Sequence, residues 1–160
     1  MELIKPMNKK ILIPIITCVF ILFSFKINDT SEVFGKQFFE LLKVSPVVSE
    51  AKIEGLFISL ETLKMLPKTE ISEFSVDEYN EFITGNINEL LENAKYYGIV
   101  WKDIKYVKTE TKALTDSGID LQMMHLHFSH GVRTFKLQLV AIPHKNKLKL
   151  IRIMNLDYVD

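Results

Sequence analysis

Two histidines, His125 and His127, stand two residues apart inside a run of strand-like composition from Ile119 to Ser129. Alternate side chains of a strand share a face, so both imidazoles project the same way, within reach of one ion. A metal centre wants a third ligand, and the run supplies none in phase. His130 and Asp120 fall on the opposite parity, and the in-phase neighbours are Leu121 and Met123. The pair has a second chemistry. An imidazole beside a carboxylate is a general base, and Asp103, Glu110 and Asp120 are the carboxylates on neighbouring stretches. His125, His127 and Asp120 are therefore the candidate catalytic residues, set in a pocket on the concave face of a curved sheet. The plainer alternative is two imidazoles on the wet side of a strand whose other side is Met124, Leu126 and Phe128.

Other catalytic signatures are missing. There is no Gly-x-Ser-x-Gly elbow, no His-Glu-x-x-His pair, and the six glycines are scattered singly, so no loop is built to cradle phosphates. No cofactor and no metal is implied. Cys18 is the only cysteine, which leaves the rest of the chain without a disulfide, a thiol nucleophile or a thiolate ligand. Binding surfaces have more support. Lys105, Lys108, Lys136, Lys147, Lys149 and Arg152 make the strand region basic, and Trp101 with Tyr96, Tyr97 and Tyr106 forms an aromatic cluster at a helix-to-strand junction. Trp101, Tyr106, Lys108 and Lys136 are the candidate ligand- or partner-binding residues. Against them stand two structural readings: aromatic clusters seal helices onto sheets, and lysines protect exposed strands from edge pairing.

The elements that must position these residues are legible from periodicity and punctuation. Phe34, Phe38, Leu41 and Leu42 recur at helical spacing from Glu32 to Lys43, with Thr30 or Ser31 as cap. Ser45-Pro46 opens a second helix, expected to reach Leu66 along Ile53, Leu56, Phe57, Leu60 and Leu63, with Pro67 ending it. Ser75 with Glu78 is a capping box for a third, which runs to Gly98 and is expected to bend or break at Gly85. Four strand-like runs follow, Ile104–Ala113, Ile119–Ser129, Val132–Ile142 and Leu148–Tyr158, separated by turn residues close enough to demand antiparallel hairpins. The fourth shifts phase between Leu150 and Ile151, as a bulge or burial on both faces would require. Helices followed by a meander make an α+β layer pair, with about three helices covering one face of a four-stranded antiparallel sheet.

Ahead of this domain, Lys5, Lys9 and Lys10 precede an apolar run from Ile11 to Phe25 closed by Lys26 and Asp29. That is the pattern of a secretory signal, and it reaches the lower limit of a spanning helix if Lys26 snorkels and Ile27 is counted. Residues 1–27 are read as a signal peptide or an uncleaved membrane anchor and residues 28–160 as one domain, exported or tethered outside the cytoplasm. Cys18 lies in the middle of the apolar run, after Ile15, Ile16 and Thr17, and so matches a lipidation site poorly. The composition, 48% hydrophobic and 25% charged, is that of a folded chain. The formal net charge is zero, which argues against nucleic acid as a partner. Charge is nonetheless divided. Residues 28–93 hold 13 acidic and 5 basic side chains, net −8, and residues 94–160 hold 11 basic and 6 acidic, net +5.

A long helix ending at Gly98, then Trp101, then four meandering strands resembles the cystatin-like roll. With helices leading, it is also similar to the nuclear-transport-factor-like cones. The wording from Ala94-Lys95-Tyr96-Tyr97-Gly98-Ile99-Val100-Trp101 to Tyr106 resembles small uncharacterised exported bacterial proteins. The resemblance spans Glu32 to Asp160 and implies architecture only, because those folds host enzymes, binders and scaffolds alike. The glutamine-glycine hairpin of cystatin inhibitors is absent. The leading expectation is an exported or membrane-tethered, non-catalytic module for an unknown protein or small-molecule ligand. The alternative is a small hydrolase or isomerase around His125 and His127.

Overall fold

The computed structural model describes residues 31–66, 73–116 and 118–159. The expected signal or anchor over 1–27, the Thr30 cap and Pro67 lie outside them. Strands β1 (Lys105–Asp116), β2 (Ile119–His130), β3 (Arg133–His144) and β4 (Lys147–Val159) form one antiparallel meander in the order β1-β2-β3-β4. The turn residues dictate it. Gly131 takes φ 61° at the start of the β2–β3 turn, and Lys145 and Asn146 take φ 48° and 62° between β3 and β4. Left-handed residues at these places give two-residue turns a twist that matches the strands they join. The phase change in the fourth run is real. β4 slips register twice against β3, opposite Leu137–Leu139 and Val140–Ala141, and so brings both Leu150 and Ile153 into the core.

Every second residue of the central strands faces a helical layer. Met124, Leu126, Phe128, Phe135, Leu137 and Leu139 are fully buried there, against Phe38 and Leu42 of α1 (residues 31–44), Ile53 of α2 (Pro46–Glu54) and Ile87 of α4 (Val76–Tyr96). Each such side chain contributes about 1.5–3 kcal/mol relative to exposure, so this seam accounts for the pairing of the layers.

The second helix is shorter than its stripe suggests. It ends at Glu54, and a separate turn, α3 (Leu60–Leu63), is capped by Ser59, whose hydroxyl accepts from the Thr62 N–H. Between them, residues 56–58 lie along β4, bridged to it in parallel at Phe57. The Ile58 N–H donates to the Leu150 carbonyl (2.8 Å) and the Leu150 N–H to the Leu56 carbonyl (2.9 Å). An edge strand with unpaired backbone groups competes for this segment and wins it from the helix. The Tyr79 hydroxyl donates to the Ile58 carbonyl and holds the same segment from the other side; burial pushes its phenol up to about 12.

Helix α4 begins with the expected capping box. The Glu78 N–H donates to Ser75 Oγ, and the Ser75 N–H to Glu78 Oε2 at 2.7 Å. It ends in a Schellman motif. Gly98, at φ 67°, donates to Lys95 and Ile99 to Ala94, with Ile99 and Ala94 both buried. Gly85 does not break it, for the helix is continuous over 21 residues. Next to Gly85, the buried Asn86 accepts the Ile153 N–H on Oδ1 (2.8 Å) and donates from Nδ2 to the Phe82 carbonyl (2.8 Å).

These two neighbours should therefore respond in opposite directions to alanine. A Cβ at Gly85 meets nothing within 4 Å, so Gly85→Ala should stabilise by about 1 kcal/mol. Asn86→Ala strands the Ile153 N–H and should cost about 1–3 kcal/mol. Denaturant midpoints of the two variants at equal m-values check both signs.

Candidate functional site

The face of the sheet turned away from the helices carries the polar residues of β1, β2 and β3 in register. One row runs Lys108, His127, Lys136 and Asp157 across all four strands, and the next runs Glu110, His125 and Gln138. Side chains opposite one another across a sheet lie close enough to bond. Here they bond along the rows and between them. Glu110 Oε2 stands 3.1 Å from His127 Nε2, its other oxygen accepts from the Lys108 ammonium, and Gln138 Nε2 lies 3.2 Å from His125 Nε2. Lys136 and Asp157 are 3.9 Å apart. His127 is buried, only 8% exposed, although no described helix covers it; Lys108, Glu110 and Lys136 stand beside it in the rows.

The electrostatics follow from the rows. The Lys108 ammonium, and after it His127, hold the Glu110 carboxyl below its ordinary value. Desolvation, then the positive charge of Lys136 and of a protonated His127, pushes His125 below the usual imidazole range. Among the described residues, no three of His, Cys, Asp and Glu converge on a point. What this arrangement can do is present a patterned surface of fixed donors and acceptors. His127 is an imidazole with a carboxylate partner, Glu110, and with Lys136 opposite it across the sheet.

The sequence-derived candidates divide sharply. His125, His127, Lys108 and Lys136 come together on this face. Asp120 does not: it pairs with Thr115 near the β1–β2 turn, where it accepts from the Thr115 hydroxyl at 3.3 Å. Trp101, in a short 3-10 helix (Trp101–Asp103), packs on Phe128 with ring centroids 6.3 Å apart. Tyr97 meets Phe135 edge-on at 5.6 Å, so the aromatic cluster seals α4 onto the sheet, while Tyr96 stays exposed.

Tyr106 is turned the same way by a register shift between Tyr106 and Lys108. Its ring lands under α1, its hydroxyl donates to Glu32 Oε1 at 2.6 Å, and the Thr109 N–H of β1 donates to Glu32 Oε2 at 3.3 Å. Burial, then that carboxylate, pushes the phenol up to about 12. Burial also opposes charge on Glu32, yet the bonds from Tyr106, Lys36 and Thr109 outweigh it and keep the carboxyl below its ordinary value. Gly35 makes the approach of α1 feasible, since a Cβ there would overlap the Thr109 side chain.

Gln138 and Asp157 were not singled out from sequence. The signal for Gln138 existed in the alternation of the third run, which places it on the wet side with Lys136. Two open grooves also occur among the described residues, and neither is lined by His125 or His127. One, of about 480 Å³, lies between Lys43, Lys102 and Lys105. The other, of about 380 Å³, lies between Phe34, Leu56 and the β3–β4 turn. No described helix is long and apolar enough to cross a membrane. Compared with protein-family models, curated proteins and solved structures, the chain matches none.

The lowered His125 makes stability depend on pH with a definite sign. Unfolded, the imidazole titrates near its ordinary value of about 6.5. Folded, it binds its proton less readily, so the unfolded state carries more protons in that window. Its contribution is complete above about pH 6.5 and is lost as the pH falls toward the lowered folded value. Glu110, also lowered, loses its contribution only further down, below the ordinary carboxylate range. Denaturant midpoints between pH 7.5 and 5 should therefore decline, and His125→Gln should flatten that decline while leaving the lower carboxylate step in place.

Proposed function

We propose that the chain is an exported or membrane-tethered, non-catalytic binding module, built on a cystatin-like or nuclear-transport-factor-like roll, that offers the helix-free sheet face to a protein or small-molecule partner. The observation that carries this reading is the open setting of the two rows. His125, His127, Lys108 and Lys136 line neither of the two grooves found among the described residues, whereas catalysis wants its reacting groups enclosed away from water. A patterned polar surface that adjoins half-buried Leu121, Met123 and Val140 suits recognition, which draws on polar and apolar contacts together. Support for export or tethering is the basic residues ahead of Ile11–Phe25, and nucleic acid is disfavoured by the zero net charge. The 3.1 Å approach of His127 to Glu110 favours, as a second reading, a small hydrolase or isomerase.

Photo-crosslinking in the native host tests the surface. A benzoylphenylalanine at Met123 or Gln138 should give a discrete adduct that weakens several-fold when Lys108 and Lys136 are both changed to Glu. The same probe at Glu89, exposed on α4, should give none. Equal adducts from all three positions would remove the surface from consideration. The mature mass and its fraction are measured on the same cells, and an intact chain in the cytosol would end the export reading. Turnover of p-nitrophenyl acetate abolished by His127→Gln would favour the enzyme instead.

A further inference from the structure

The groove of about 480 Å³ at the far end of the sheet is lined by three lysines from three separate elements. Lys43 comes from the last turn of α1, Lys102 from the 3-10 helix and Lys105 from the first residue of β1. The buried Ile104 and the β2–β3 hairpin at Ser129 and Gly131 complete its lining. Four other lysines have partners: Lys36 pairs with Glu32, Lys108 with Glu110 and Lys136 with Asp157, and Lys149 donates to the Gly55 carbonyl. Among the described residues, Lys43, Lys102 and Lys105 enter no ion pair. The one carboxylate lining the groove is Asp103, which leaves the four side chains at net +2.

Like charges do not gather around a concavity for stability, since their repulsion costs energy that pairing would remove. An anion seated in the groove would neutralise such a cluster. Lysine ammoniums act as compact point charges with rotatable donors, which suits a tetrahedral phosphate, whereas planar carboxylates are best matched by the guanidinium fork that this groove lacks. The volume is that of a small-molecule site rather than of an extended macromolecular interface.

We propose that the Lys43–Lys102–Lys105 groove binds a phosphate group, carried by a soluble phosphorylated molecule or by a lipid headgroup. Asp103 takes no part in holding the phosphate and weakens it. This site is separate from the helix-free face, so its failure would leave the reading of that face intact.

Trp101 is the single tryptophan of the chain and adjoins Lys102, so its fluorescence reports on the groove directly. The full chain in uncharged lauryl maltoside micelles is titrated with inorganic pyrophosphate, with dihexanoyl phosphatidylglycerol below its micelle concentration, and with sodium chloride at matched ionic strength. A saturable change with either phosphate compound, and none with chloride, is expected. Each of Lys43→Ala, Lys102→Ala and Lys105→Ala should weaken it roughly fivefold. Asp103→Asn should tighten it, and the Lys108→Ala/Lys136→Ala double variant should leave it unchanged. Saturation by pyrophosphate alone assigns a soluble ligand, and tighter saturation by the lipid analogue assigns a headgroup. The proposal is overturned if chloride reproduces the response, if the lysine variants bind as well as the parent, or if neither phosphate compound saturates.

Discussion

A four-stranded meander has two edges, and an unpaired edge is the constraint around which the rest of this fold is arranged. Backbone groups left open there would cost hydrogen bonds and invite pairing with other chains. The helical layer meets each edge with a specific atom. On β1 the Glu32 carboxylate takes the Thr109 N–H, and on β4 the Asn86 amide takes the Ile153 N–H. Residues 56–58 add a short parallel bridge to Leu150. Helix α1 comes close enough for the first of these only because Gly35 lets its backbone touch Thr109. Helix α4 achieves the second with a buried asparagine whose other end is satisfied within its own helix. The helices therefore do more than cover an apolar face. They also engage the backbone of the edge strands at Thr109, Leu150 and Ile153.

That division of labour leaves the opposite face free. Because the edges and one face are spent on the helices, residues of the second face bond to one another across the strands. The result is a surface on which Lys108, Glu110, His127 and Gln138 have partners without cover from any described helix. A side chain such as His127 is then shielded by its neighbours while the face as a whole remains accessible. Side chains held in place this way would lower the ordering cost of binding a partner on that face.

Much of this was legible beforehand, for physical reasons that can be named. The capping box at Ser75, the stop at Gly98 and the three hairpins rest on local chemistry, which acts within a few residues and survives folding unchanged. Counting outward from the two-residue turn at Gly131–Val132 pairs His130 with Arg133, His127 with Lys136 and His125 with Gln138. The central rows of the candidate site were thus countable in principle. What local chemistry does not reveal is competition between distant segments. The stripe of Ile53, Leu56, Phe57, Leu60 and Leu63 has helical spacing, yet β4 claims residues 56–58. The irregularity between Tyr106 and Lys108 is of the same kind. Without it Tyr106 would share the face of Lys108. With it, the ring turns under α1, where Glu32 accepts a hydrogen bond from its hydroxyl, and Val107 is left half exposed.

The course of α1 gives the domain two unlike ends. Its first described residue, Ser31, donates its hydroxyl to Gln122 of β2 at 2.8 Å, close to the β1–β2 turn. Its last turn brings Lys43 to the groove beside the β2–β3 turn. At 1.5 Å per residue the helix separates these points by roughly 18 Å. The helix therefore sets the end that carries the β1–β2 turn apart from the end that carries the lysine groove, and the helix-free face runs between them. The division of charge follows the same geometry: acidic helices clothe one face of the sheet, and the basic residues of the strands gather on the other face and at the ends. An anionic partner approaching such a domain is steered away from the helices and toward the strands, where the candidate residues lie.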